Sequence, residues 1–265
     1  MRLTAVGCRG SVPGPDSPAS SYLVEAEDAD GRTWRLLLDL GSGALGSLQR
    51  VVDPFALDAV LVTHLHPDHF IDLCPLYVYL RYHPRDGFAV TGGKRPVVVR
   101  GPGDLEERLG SAYGLAADET MRCVFDIQTH TPTWSLGPFT VEVVPVDHPV
   151  EAYGLRVHGP SEHDPDRQVV LAYSGDTDEC PGAVDVARDA DLFLCEAAFV
   201  EGRDEPRGVH LTGLRAGRVA QEAGAKQLVL THLPPWNEDA VALAEARTAY
   251  TGPITVCEPL GVYRV

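Results

Sequence analysis

The sequence predicts an α/β fold, and three observations carry that expectation. Short β-type runs alternate with helical stretches from one end of the chain to the other. One of these runs, Ala59–Thr63, stops at a cluster of histidines, His64-Leu65-His66-Pro67-Asp68-His69. The 265 residues, 44% hydrophobic and 23% charged, suffice for one large domain over 1–265 and are marginal for two. Two sheets packed face to face with helices outside would bury these runs; the pattern alone leaves other α/β layouts open.

Arg2–Val6, Ser21–Glu25 and Trp34–Leu38 read as strands, the last two joined by the turn-like Asp28-Ala29-Asp30-Gly31. Phe70–Tyr82 has the helical spacing of bulky residues, with Pro75 in its first turn or at a bend. Arg81–Pro96, rich in Gly, Pro and charge, reads as a surface loop. Val97–Arg100, Cys123–Ile127, Phe139–Val146, Tyr153–Val157 and Val169–Ser174 read as strands, with a turn at Pro160–Arg167. Pro181–Arg188 then reads as a helix, Leu192–Cys195 as a buried strand and Leu211–Ala223 as a helix. Gln227–Leu230, Glu238–Tyr250 and Ile254–Cys257 form a β-α-β-like tail. No linker, tandem repeat or break in composition divides the chain.

Lys and Arg total 22 against 38 Asp and Glu, a formal charge of −16. Such a field repels a long polyanion, so stable nucleic-acid binding is not expected; a small anion drawn in by bound metal fits better. The N-terminus runs straight into a strand-like pattern without a signal-type segment, and no stretch is apolar enough to span a membrane. The cysteines at 8, 74, 123, 180, 195 and 257 form no Cys-x-x-Cys pair and read as apolar filler in a reducing compartment, hence a cytoplasmic protein.

The histidine cluster carries the chemistry. His64 and His66, two apart in an extended segment, project from the same side, as two ligands of one metal must. Asp68 and His69 reach a second position. Imidazole with carboxylate suits Zn²⁺, Mn²⁺ or Fe²⁺. Taken alone, His148 reads as a loop histidine, Asp176 as a turn residue and His232 as the end of a strand before Pro234-Pro235. His83, His130, His158 and His163 read as structural.

His-x-His-x-Asp-His resembles the signature of the metallo-β-lactamase superfamily, and later segments resemble its other motifs in order. They are Asp147-His148 after a strand, Ser174-Gly175-Asp176-Thr177, and Leu230-Thr231-His232. The resemblance implies an αββα four-layer sandwich holding two divalent transition-metal ions, zinc first. One ion would be held by His64, His66 and His148 and the other by Asp68, His69 and His232, with Asp176 bridging. Asp39 would support the metal loop from behind.

Gly7-Cys8-Arg9-Gly10-Ser11-Val12-Pro13-Gly14, Ser20-Ser21-Tyr22 and Gly208-Val209-His210-Leu211-Thr212 are similar to the phosphodiesterase branch that includes ribonuclease Z. That likeness implies catalysis by Asp68, His210 and Glu196. Metal-activated water would attack phosphorus in line, and His210, paired with Glu196, would protonate the leaving oxygen. The Gly/Pro-rich RNA-gripping arm of ribonuclease Z is missing between His148 and Asp176. Asp16-Ser17-Pro18-Ala19 lacks that enzyme's Arg-Asn. Arg81-Tyr82-His83-Pro84 and Leu233-Pro234-Pro235-Trp236 further resemble bacterial atypical class II cyclic-nucleotide phosphodiesterases. This group implies 3′,5′-cyclic AMP as the small anionic substrate, and the family a homodimer; Trp236, Tyr82 and Phe199 read as core or interface residues or as faces to stack on a base. The alternatives are a ribonuclease Z-type RNA nuclease and a lactone or thiol-ester hydrolase.

Overall fold

The computed structural model describes residues 1–93 and 95–265. In chain order the elements begin with strands β1 (Arg2–Gly7), β2 (Ser21–Glu27), β3 (Thr33–Leu38), helix α1 (Ala44–Leu48), β4 (Ala59–Leu61), α2 (Pro67–Phe70), α3 (Leu73–Tyr82) and α4 (Phe88–Thr91). There follow β5 (Val97–Gly101), α5 (Leu105–Tyr113), β6 (Phe125–Thr129), β7 (Thr133–Leu136), β8 (Phe139–Pro145), β9 (Tyr153–Pro160) and β10 (Gln168–Tyr173). The last elements are α6 (Pro181–Ala187), β11 (Leu192–Glu196), α7 (Gly213–Ala223), β12 (Leu228–Thr231), α8 (Asp239–Arg247), β13 (Ile254–Val256) and β14 (Val262–Arg264).

The strands form two mixed sheets, ordered β14-β1-β2-β3-β4-β5-β6 and β13-β12-β11-β10-β9-β8-β7. In the first, β3 to β6 run parallel; in the second, β10 to β13 do. The central parallel strands β4, β5, β11 and β12 are buried on both faces, which explains their nearly unbroken apolar runs. Leu36, Leu38, Ala59, Leu61 and Val98 point between the sheets, against Leu155, Val157, Leu171 and Leu194. Leu37, Val60, Val62, Val97 and Val99 point outward against Leu45, Leu76, Tyr77 and Leu105 of the first helical layer. The other outer layer packs Ala183, Val186, Ala216, Val219 and Ala220 on Phe193, Leu228 and Leu230. The result is the expected αββα order.

Several local expectations are corrected. The helix expected at Phe70–Tyr82 starts at Leu73 as α3, while Phe70 closes the separate short α2, which the sequence does not announce. The Asp72 N–H donates to the Leu40 carbonyl, 3.1 Å away, and so leaves the helical ladder. Pro75 falls in the first turn of α3, where its missing N–H costs nothing. The strand expected at Cys123–Ile127 is shifted to Phe125–Thr129. The loop expected at Arg81–Pro96 contains the end of α3 and the short α4, and Lys94 within it lies outside the described residues. Helices α1 and α5 and edge strands β7 and β14 add elements absent from the sequence reading. No helix among the described residues is long and apolar enough to cross a membrane.

Candidate metal centre

The topology gathers one rim. Asp39 follows β3 and the His64–His69 loop follows β4, which are parallel neighbours. His148, Asp176, Glu196 and His232 lie at or just past the C-terminal ends of β8, β10, β11 and β12. Those four strands also point the same way, β8 because it is antiparallel to β9, itself antiparallel to β10. Side chains from both sheets therefore meet at one end of the sandwich. The seven expected ligands fall into two groups, His64, His66 and His148, and Asp68, His69, Asp176 and His232.

In the first group His66 Nδ1 lies 3.1 Å from both His64 Nε2 and His148 Nε2. In the second, Asp176 places Oδ1 3.2 Å from His69 Nε2 and Oδ2 3.1 Å from His232 Nε2, while Asp68 Oδ2 is 3.5 Å from His69 Nε2. Asp176 Oδ2 is also 3.7 Å from His64 Nε2, so this carboxylate stands between the groups.

The residues behind the rings fix which nitrogen faces the cluster. His148 Nδ1–H donates to the Val209 carbonyl at 2.8 Å, leaving a lone pair on Nε2. His69 Nδ1–H donates to Asp39 Oδ2 at 2.7 Å. The Thr63 hydroxyl donates to Asp39 at 2.9 Å and accepts from His64 Nδ1–H at 3.1 Å. His232 Nδ1 meets Ser20 Oγ at 2.9 Å, and its Nε2 accepts the Ser11 N–H at 3.4 Å. Lone pairs aimed at one another repel unless a cation lies among them. Consistent with this, His69 Nε2 and Asp176 Oδ1 are buried without a hydrogen-bond partner. These residues fit a transition-metal centre by donor type, by convergence and by unsatisfied atoms.

The electrostatics agree. Against burial, Asp176, Asp39 and Asp68 push the His69 ring well above its ordinary pKa, so that position favours positive charge. Burial and the neighbouring His69 push His64 well below the ordinary value, keeping it neutral. Asp176 is held far below the usual carboxylate range, its burial overcome by His232 and His69. Asp39 and His232 adopt left-handed backbone, φ 58° and 57°, as does Ser11, beside His232, at 61°. Strain of this kind is held in place by surrounding contacts and concentrates at working sites. Gly41 lets the metal loop approach, since a Cβ there would sit 1.9 Å from the Asp68 carbonyl oxygen.

Beside the cluster His210 Nδ1 contacts Glu196 Oε1 at 2.9 Å and stands 3.9 Å from Asp176 Oδ2. Glu196 is itself fixed by the Thr177 N–H on Oε1 and the Ala198 N–H on Oε2, both at 3.0 Å. Burial opposes protonation of His210, but the Glu196 carboxylate outweighs it and lifts the ring to about 9. The Phe199 ring packs edge-on against His210, centroids 5.0 Å apart.

Every site residue expected from the sequence is brought to this rim. Of the candidate stacking residues, Phe199 packs against His210 itself, Trp236 is 63% exposed four residues beyond His232, and Tyr82 lies at the far end of α3 against Tyr77 and Arg81. The sequence reading assigned no role to Tyr173, whose hydroxyl donates to Asp39 Oδ2 at 2.9 Å, nor to Ser20. His130, read as structural, is half-buried beside the metal loop and donates from Nε2 to the Val62 carbonyl at 2.9 Å.

Fold and site together define a protein of the metallo-β-lactamase fold with a candidate dinuclear centre. Residues 34–233 match the beta-lactamase superfamily domain, and the chain belongs to that superfamily. It is similar to the probable metallo-hydrolase YhfI of Bacillus subtilis, 30% identical over 259 residues that cover 97% of each chain. The crystal structure of YhfI superposes with a TM-score of 0.82 at 27% identity, covering 100% of this chain and 99% of that one. The protein Rv1339 of Mycobacterium tuberculosis is 41% identical over 264 residues, 97% of this chain and 90% of that one. Ribonuclease Z of Myxococcus xanthus is 29% identical over 310 residues, covering 97% and 95%.

Proposed function

We propose that this chain is a metal-dependent hydrolase of small phosphodiesters, with 3′,5′-cyclic AMP as the substrate that best accounts for its features. The observation that carries the reading is the His210–Glu196 pair, set beside the metal groups with Nδ1 engaged by the carboxylate. We assign one ion to His64, His66 and His148 and the other to Asp68, His69 and His232, with Asp176 shared and Asp39 supporting from behind. Zinc is the first candidate, manganese or iron the others. Bound there, the ions would supply an activated water and neutralise phosphoryl oxygens.

The chain's own residues do the rest. Glu196 fixes the His210 ring by taking its Nδ1–H, and Nε2 is then the atom that delivers a proton to a departing alkoxide. The half-buried ring of Phe199 covers one side of that pair by packing edge-on against His210. Asp68, at the end of the metal loop, orients the attacking water as well as serving as a ligand. A phosphodiester with a poor leaving group needs such an acid; a thiol ester does not.

The charge of −16 and the short connection between β9 and β10, which end and begin at Pro160 and Gln168, support a small substrate over a large RNA. The likeness to ribonuclease Z keeps an RNA nuclease as the second reading. One domain over 1–265, a cytoplasmic location and a homodimer belong to the same proposal, on family resemblance and composition. The test is turnover by purified protein loaded with zinc or manganese, offered cyclic AMP, a precursor transfer RNA and a lactone. Metal-dependent release of AMP with little RNA cleavage is expected. Efficient cutting of precursor transfer RNA without turnover of cyclic AMP would reverse the ranking, and lactone hydrolysis alone would remove His210 from the mechanism.

A further inference from the structure

Two residues beyond Asp176, the buried carboxylate of Asp178 ties together the segments on which His148 and His210 depend. Its Oδ2 accepts Arg207 Nε at 2.6 Å and the Gly208 N–H at 2.8 Å. Its Oδ1 accepts the Glu179 N–H at 2.7 Å and Arg215 Nη1 at 3.4 Å. Its own N–H donates to the Asp147 carbonyl at 2.9 Å. The segment so anchored, Arg207 to His210, supplies the Val209 carbonyl that orients His148 and then His210 itself. Arg215, buried in the first turn of α7, reaches with Nε to Glu201 at 3.5 Å and so joins the far end of the same loop to the same hub.

We propose that Asp178 is a positioning residue for the reaction: it sets the Arg207–His210 segment so that the acid faces the leaving group. A carboxylate offers about four acceptor sites, and here four donors use them. No neutral side chain of this size replaces it. Gly208, at φ 71°, turns the chain immediately after the anchored N–H, so a shift at the hub passes directly to Val209 and His210. For its rate measurement the inference rests on the phosphodiesterase reading above; a second measurement does not.

The decisive variant is Asp178→Asn, nearly isosteric but with one acceptor oxygen in place of two and an amide turned toward two donors. Misplacing a catalytic group by about an ångström costs on the order of 100-fold. In metal-loaded protein we expect a loss of roughly 10–100-fold with cyclic AMP, whose ribose oxygen leaves poorly, and a far smaller loss with bis(p-nitrophenyl) phosphate. Arg207→Gln, at an exposed side chain, should show the same selective defect more weakly. In metal-free protein the His210 Nδ1–H proton resonance, identified by its absence from His210→Gln, should shift or broaden in Asp178→Asn. Equal losses on the two esters, or no loss with an unchanged resonance, would overturn the proposal. If Asp178→Asn does not fold, an unchanged ester ratio and resonance in Arg207→Gln would overturn it instead. If the unsubstituted protein cleaves neither ester, the phosphodiesterase reading fails, and the resonance alone decides on Asp178: an unchanged resonance in Asp178→Asn counts against, a shifted or broadened one in favour.

Discussion

Asp39 offers the sharpest separation of stability from metal affinity. Its carboxylate is fully buried and accepts the Thr63 N–H at 2.7 Å, the Thr63 hydroxyl at 2.9 Å, His69 Nδ1–H at 2.7 Å and the Tyr173 hydroxyl at 2.9 Å. Asp39→Ala strands donors from three residues, each worth about 1–3 kcal/mol when left unsatisfied. Allowing for local relaxation, we expect a loss of about 3–5 kcal/mol, or on the order of 10 °C in melting temperature. Asp39→Asn behaves differently. With its oxygen kept on Thr63, its amide faces His69 Nδ1, which must then accept, and the ring proton moves to Nε2. That nitrogen would point an N–H at the metal position. Fold stability should fall less than in the alanine variant, while zinc affinity drops by about 10–100-fold, as is typical when the partner behind a ligand is lost. Urea denaturation of the metal-free variants and zinc competition against a chromophoric chelator measure the two quantities. Undiminished zinc affinity in Asp39→Asn would refute the argument that this carboxylate sets the His69 tautomer.

His210→Ala should keep both metals yet lose roughly 10²–10⁴-fold with cyclic AMP and far less with bis(p-nitrophenyl) phosphate, while Glu196→Gln shows a milder form of the same pattern. Equal losses on both esters in a kinetic comparison would assign His210 to binding and not to proton delivery. His130, lowered by burial to about 4 despite its bond to the Val62 carbonyl, must stay neutral in the fold but titrates near 6.5 when unfolded. Its contribution is therefore complete above 6.5 and is lost as pH falls toward 4, to a total of about 3 kcal/mol. Unfolding free energies from pH 8 to 4 should fall less steeply in His130→Gln, which retains a donor for Val62; parallel curves would contradict this. Gly41→Ala forces a Cβ to within 1.9 Å of the Asp68 carbonyl oxygen, so it should cost about 1–3 kcal/mol or more and reduce zinc stoichiometry. A variant with normal urea midpoint and zinc content would show that the loop has room to yield.

Residue type and short-range order determined much of this protein before any packing was considered. The runs Leu36–Leu38, Ala59–Val62 and Val97–Val99 announce strands because both faces of each are buried, leaving no polar alternation. His64, His66, Asp68 and His69 announce a metal loop because four donors within six residues at a strand end have few other uses, and family resemblance supplied the distant ligands. Where burial is partial the signal fades. Helix α5 buries only Leu105 and Leu109, and the edge strands β7 and β14 expose much of their length, so neither the 3.6 nor the 2 periodicity stands out. The division between α2 and α3 depends on the Leu40 carbonyl reaching Asp72 across 32 residues, which no local pattern encodes. The same holds for Tyr173 on Asp39, Ser20 on His232, His130 on Val62 and Asp178 on Arg207 and Gly208. A ligand is recognisable because its chemistry belongs to the side chain. The group that orients a ligand is chosen by whichever distant segment the packed sheets bring within 3 Å, and only the tertiary structure decides that.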